Sequence, residues 1–167
     1  MRPIRALRRA LALAALLGAG VPAAAAGCHA ITHDGTGYTV CTARAGQDRL
    51  RLWHLGPDGR PYGSFARVDE RLRREGRQLR FAMNGGMYHD DRSAVGLLIV
   101  DGERRAPIVT RAGPGNFGLL PNGVFCIGAE GFAVIETRAY AADPPECRHA
   151  TQSGPMSTPQ TVPRVVL

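Results

Sequence analysis

At 167 residues, 44% apolar and 21% charged, the chain holds one modest domain and is too short for two. Its formal net charge is +7, but four of the positives are Arg2, Arg5, Arg8 and Arg9, which leaves about +3 beyond the N-terminal stretch. That balance is ordinary for a globular domain and gives no reason to expect a nucleic-acid partner; all 21 basic residues are arginine, which reads as compositional bias rather than a selected surface.

Residues 1–26 read as a signal peptide: an arginine-rich start, an apolar stretch over residues 11–21, and Ala24-Ala25-Ala26 as the small residues of a cleavage site. The stretch is too short to span a bilayer comfortably and no later segment is a candidate, so no stable membrane anchor is expected. A lipid anchor on Cys28 is the weaker alternative, because Ala25 stands where a larger aliphatic residue belongs and lipidation would leave an odd number of cysteines. The expected location is periplasmic or secreted, with a domain over residues 27–156 and an irregular tail over 157–167. Export favours oxidation, so Cys28, Cys41, Cys126 and Cys147 are expected in disulfides. Three connectivities are open to four cysteines, and Cys28–Cys41 with Cys126–Cys147 is the expected one because each closes a short loop around a strand. No C-x-x-C spacing is present, and no metal or cofactor is expected.

Residues 38–42 alternate as a strand. Leu50, Leu52 and His54 share one face of a second, with Trp53 opposite, before a turn at Gly56-Pro57-Asp58-Gly59. Ser64 is placed to cap a helix carrying Phe65, Val68 and Leu72 at helical spacing, with Gly76 as its stop. Arg71, Arg73, Arg74, Arg77 and Arg80 alternate there with Glu70 and Glu75, as on a solvated helix face. Further strands are predicted over residues 79–83, 95–100 (closed by Asp101-Gly102), 107–110, 117–120, 124–127 and 132–136. One clear helix among many short strands predicts an α+β fold, a strand-rich mixed sheet with few helices.

The most informative segment is Phe81-Ala82-Met83-Asn84-Gly85-Gly86-Met87-Tyr88, an apolar run that ends in an amide and two glycines. Glycines at a strand end let a ligand or another backbone come close; a structural turn with Asn in a left-handed conformation is the plainer alternative. Two later segments repeat the chemistry: Gly113-Pro114-Gly115-Asn116-Phe117-Gly118 running into Pro121-Asn122-Gly123-Val124-Phe125, and Ala150-Thr151-Gln152-Ser153-Gly154-Pro155-Met156. Each combines uncharged amides or hydroxyls with glycine and proline.

In that order, and together with the VGLLIVDG stretch, these motifs resemble the bacterial, exported branch of the phosphodiester glycosidase family, the domain family of N-acetylglucosamine-1-phosphodiester alpha-N-acetylglucosaminidase. The resemblance covers residues 28–156. It implies a hydrolase acting on a sugar-1-phosphodiester or related envelope glycan, with Asn84, Gly85 and Tyr88 on one wall of a pocket and Gln152, Ser153 and Gly154 on a second. Asn116 and Asn122 stand between pocket residues and turn-closing residues. Phosphate is a good leaving group, so orientation and electrostatics would carry much of such a reaction. Amides can accept from sugar hydroxyls or donate to phosphate oxygens, and glycines expose backbone N–H groups to an anion.

The catalytic carboxylate is not placed by the sequence. His89-Asp90-Asp91 reads as a solvated loop ahead of a ligand or metal cluster, and Ser153 with His149 lacks the spacing of a nucleophile elbow. The resemblance implies a second half after the SGP motif, whereas residues 157–167 show no period and read as a truncated or frameshifted end. The expectation is therefore little glycosidase activity in this chain. The alternative function is a non-catalytic glycan- or phosphosugar-binding or structural module of the cell envelope.

Overall fold

A computed structural model describes residues 27–129 and 131–156; the expected signal peptide and tail lie outside the described residues. The elements run β1 (Gly27–His33), β2 (Thr36–Thr42), α1 (Phe65–Arg74), β3 (Leu98–Val100), β4 (Glu103–Ala106), α2 (Gly115–Gly118), β5 (Gly123–Gly128), β6 (Gly131–Glu136), α3 (Thr137–Ala142) and β7 (His149–Ser153). β1 and β2 form a ribbon of their own, and the other five strands form a sheet in the order β4-β3-β7-β5-β6. This is a strand-rich α+β fold. Its ladders are all antiparallel rather than mixed. Tight connections join β3 to β4 and β5 to β6, and a short connection can only return a strand antiparallel. β7 then slots between the two hairpins and runs against both.

Local chemistry accounts for the hairpins and the first helix. Asp34-Gly35 and Asp101-Gly102 take φ of 48° and 75°, and of 52° and 83°, the paired positive angles of a two-residue hairpin loop. The Ser64 hydroxyl accepts from the Arg67 N–H at 3.4 Å, and Val68 and Leu72 are the buried residues of α1. At the other end the Gly76 N–H bonds to the Arg73 carbonyl (3.0 Å) and the Arg77 N–H to the Leu72 carbonyl (2.9 Å). That double closure requires a left-handed residue, and Gly76 supplies it at φ +68°. The arginines of α1 pair along its solvated face with Asp69, Glu70 and Glu75.

One face of the large sheet carries the core. Leu97, Val124, Cys126 and Ala150 alternate onto it and meet Tyr140 and Cys147, with Ile99, Ile108 and Ile135 packed around them. Tyr140 comes from α3, which the sequence pattern did not reveal, because six residues are too few to show a helical period. The Glu136 carboxylate caps this helix by accepting from the N–H groups of Arg138 (2.8 Å) and Ala139 (2.9 Å). Cys126 bonds to Cys147 inside this core, and Cys28 to Cys41 across directly opposed positions of the β1–β2 ribbon.

Several expected strands take other forms. Residues 50–54 are extended without a ladder; the segment closes on itself through the Leu55–Pro61 bridge and the Tyr62 N–H to the His54 carbonyl at 3.0 Å. Residues 79–83 also join no sheet. The expected strand at 107–110 is displaced to β4, because the backbone of Val109 bonds to a side chain instead of a neighbouring strand. Residues 117–120 close α2. The ATQSGPM motif, expected to be a turn, begins as β7.

Candidate functional site

β7 divides its side chains between two environments. Ala150 and Gln152 point to the core face; His149, Thr151 and Ser153 point to the opposite face, as the register with Ile127, Phe125 and Gly123 requires. Gln152 is therefore not a pocket wall. It is 1% exposed, and its Oε1 accepts from the N–H groups of Leu97 (3.1 Å) and Val109 (3.0 Å). Its Nε2 donates to the Val109 carbonyl (2.6 Å), with Thr137 Oγ1 at 3.2 Å and Asn122 Oδ1 at 3.4 Å. The carboxamide thus stands in for a strand, satisfying both backbone groups of Val109. Asn122 belongs to the same interior network: it is fully buried and donates from Nδ2 to the Phe117 carbonyl at 2.9 Å.

On the other face, Gly85, Phe125, Thr151, Ser153, Gly154 and Met156 line a cleft of about 230 Å³. The first and last motifs meet here. Gly86 lies so close to β7 that a Cβ on it would overlap Thr151 Oγ1 and stand 3.1 Å from the Gln152 carbonyl oxygen, so only glycine allows this approach. Ser153 and Gly154, with Gly85 opposite, are thus brought together. The Ser153 hydroxyl makes no hydrogen bond among the described residues and is open to a ligand. The Gly154–Pro155 peptide at its edge is cis. Phe125 and Val134 supply an apolar floor that the motif reading did not single out; the unbroken apolar runs of β5 and β6, which put apolar side chains on both faces, were the available signal.

The remaining expected residues do not line this cleft. Asn84 is exposed on the segment leading into it. Tyr88 is exposed, with the Arg92 guanidinium 4.9 Å above its ring. Asn116 is exposed in α2, and its carbonyl approaches the Gly154 backbone. In the His89-Asp90-Asp91 loop, Asp91 Oδ1 accepts from the Ser93 hydroxyl (2.6 Å) and N–H (2.9 Å), and these bonds hold its carboxyl below the ordinary carboxylate value. Among the described residues no group of three or more His, Cys, Asp or Glu side chains could hold a metal ion.

His149 has its own task. Its Nδ1 accepts from the Asp101 N–H at 3.1 Å, and its Nε2 lies 3.7 Å from Asp101 Oδ1. Burial holds the imidazole below its ordinary value, although the Asp101 carboxylate pulls the other way. Burial would raise Asp101, but the hydrogen bond and charge of Arg51 outweigh it, aided by His149 and Arg148, and hold its carboxyl low. His149 and Ser153 stand four residues apart on one strand, roughly 13 Å, so they form no nucleophile–base pair.

The fold and the cleft define a disulfide-bonded, strand-rich domain with a glycine-walled, hydroxyl-bearing cleft. Two disulfides fit a protein of an oxidising compartment, and among the described residues no helix is long and apolar enough to cross a membrane. No protein-family model matches the chain. No solved structure matches it either. Over 109 residues the chain is 28% identical to the "Uncharacterized protein YigE" of Escherichia coli (strain K12), an alignment that covers 65% of this chain and 42% of that relative. The matched stretch thus spans less than half of the relative's length.

Proposed function

We propose that this protein is an exported member of the phosphodiester glycosidase type and that the cleft between Gly85 and Ser153-Gly154 holds a sugar-1-phosphodiester of an envelope glycan. The observation that carries the reading is the meeting of two motifs far apart in sequence at one cleft, with backbone glycines on one side and a free hydroxyl on the other. The chemistry suits the ligand. The Ser153 hydroxyl can donate to a phosphate oxygen, nearby glycine N–H groups can add to it, and Phe125 and Met156 can pack against the apolar face of a sugar ring.

The test is a titration of amide resonances with a methyl phosphodiester of N-acetylglucosamine 1-phosphate. Shifts should concentrate at Gly85, Gly86, Ser153 and Gly154, and Ser153→Ala should weaken binding by roughly fivefold, the worth of one hydrogen bond of about 1 kcal/mol. Shifts confined to other regions, or none, would overturn the reading.

A second reading, binding without turnover, is favoured by one feature of the lining: no carboxylate borders this cleft among the described residues. Glycosyl transfer to water commonly uses carboxylates to stabilise the sugar cation and position the water. Release of free sugar from the same compound separates the two. Turnover that Ser153→Ala weakens in step with binding would favour the hydrolase, and saturable binding without release would favour the binding module.

A further inference from the structure

A second cleft, of about 260 Å³, opens beside the β3–β4 turn. Leu52 partitions it from the first: this residue lines the second cleft, while its Cδ2 would lie 3.0 Å from a Cβ on Gly85, which lines the first. The walls carry Arg51, Trp53 and Tyr62 from the extended segment before α1, Arg71 and Glu75 from the end of α1, and Asp101 from the turn.

Charge and hydrogen-bonding capacity both point to a ligand. Asp101 is met by Arg51 at 2.5 Å and Arg148 at 3.4 Å; Glu75 is met by Arg71 at 2.8 Å and Arg77 at 3.3 Å. The lining itself holds two guanidiniums, Arg51 and Arg71, and two carboxylates; Arg148 and Arg77 reach the same carboxylates from outside the lining, so each carboxylate orients two arginines without neutralising both. The Trp53 indole N–H and the Tyr62 hydroxyl make no hydrogen bond among the described residues, and neither is sealed from solvent. The Arg51 guanidinium lies over the Trp53 ring at 4.5 Å, and Tyr62 packs against that ring at 85° with centroids 5.5 Å apart. With one ring face covered and its neighbour at right angles, the pair offers polar edges rather than a platform for stacking a base. His54 on the same wall donates from Nε2 to the Arg92 carbonyl at 3.0 Å, which leaves its Nδ1 buried without a partner.

We infer that this cleft binds a hexose unit carrying a carboxylate or a phosphate. Arg51 and Arg71 hold the anion. The Trp53 N–H and Tyr62 hydroxyl donate to the sugar oxygens, and the Glu75 and Asp101 carboxylates accept from its hydroxyls. The inference does not rest on the reading of the first cleft.

Trp53 is the only tryptophan of the chain, so its fluorescence reports this cleft directly. The exported chain is titrated with glucuronate, glucose 6-phosphate, glucose, inorganic phosphate and adenosine monophosphate, with calorimetry in parallel for binding that leaves the indole unchanged. One or both acidic sugars should give a saturable response at least about tenfold tighter than glucose or phosphate. The two acidic sugars separate carboxylate from phosphate recognition. Arg71→Ala should weaken that response by about tenfold, and Tyr62→Phe by about three- to fivefold. Ser153→Ala, in the first cleft, should leave it unchanged. Tyr62→Phe removes a single solvent-reachable oxygen, so it keeps the test open if Arg71→Ala does not fold. No response to either acidic sugar, equal binding of glucose or of phosphate alone, or a preference for the nucleotide would overturn the inference.

Discussion

Removing the Gln152 carboxamide would orphan the backbone N–H groups of Leu97 and Val109 in the interior, together with the Val109 carbonyl. A buried group left without a partner costs about 1–3 kcal/mol, so Gln152→Ala should lose about 3 kcal/mol or more in urea unfolding. A loss below about 1 kcal/mol would mean that water replaces the side chain. His149 gives a pH-dependent counterpart. Burial lowers its imidazole below the ordinary 6.5, so in that window the folded chain binds fewer protons than the unfolded one. Its contribution is present above 6.5 and is lost as pH falls from there toward the folded value. The urea midpoint should therefore drop between about pH 7.5 and about pH 5.5, and His149→Asn, which can still accept from the Asp101 N–H, should flatten that drop. Equal slopes in the two proteins would remove His149 from the account. Asp101, held low by Arg51, adds a further loss only below its ordinary 3.8.

The two disulfides serve elements of different kinds. The β1–β2 ribbon leaves all seven residues of β1 exposed, including Ile31 at 40%. A two-stranded ribbon is marginal in water, so the Cys28–Cys41 bond is its main constraint. Cys28→Ser with Cys41→Ser should abolish amide protection over residues 27–42 while leaving that of β5 and β7 intact. Cys126 and Cys147 lie within the core, 5% and 6% exposed. Replacing both by alanine should cost the whole domain about 3 kcal/mol from the lost cross-link, read as a lower urea midpoint with protection falling across the large sheet. Uniform effects of the two double variants would show that the ribbon and the sheet unfold as one unit.

For the whole molecule, the large sheet gives one face to the core cluster, while the other buries Ile127, His149 and Thr151 and opens into the first cleft at Phe125 and Ser153. Both disulfides are formed and no cysteine is free among the described residues, so alkylation without reductant should add no mass and alkylation after reduction should label all four cysteines. Labelling before reduction would contradict the oxidised state. At this scale the motif reading was partly legible. Gly85, Ser153 and Gly154 line one cleft as a pair of walls. Gln152 and Asn122 turn inward, and Asn84, Tyr88 and Asn116 stay exposed outside the lining. Alternation decides this: consecutive residues of β7 face opposite ways, and a motif does not say which face is buried.

Sequence alone determined the features that rest on nearest-neighbour chemistry. Asp-Gly pairs set the tight turns, Ser64 and Gly76 bounded α1, and the apolar runs of β5 and β6 marked two strands of the large sheet. The expected signal peptide led to the expectation of oxidised cysteines, and both disulfides are formed. Tertiary structure decided what depends on distant partners. β7 became a central strand because β3 and β5 each offered it an open edge, although its own sequence reads as a turn. Residues 107–110 stayed out of the sheet because a carboxamide 43 positions away took the hydrogen bonds of Val109. The second cleft, assembled from the 51–62 segment, the end of α1 and the β3–β4 turn, left no local signature at all. Arginines and carboxylates scattered along a chain look like solvated surface until folding brings them to one rim.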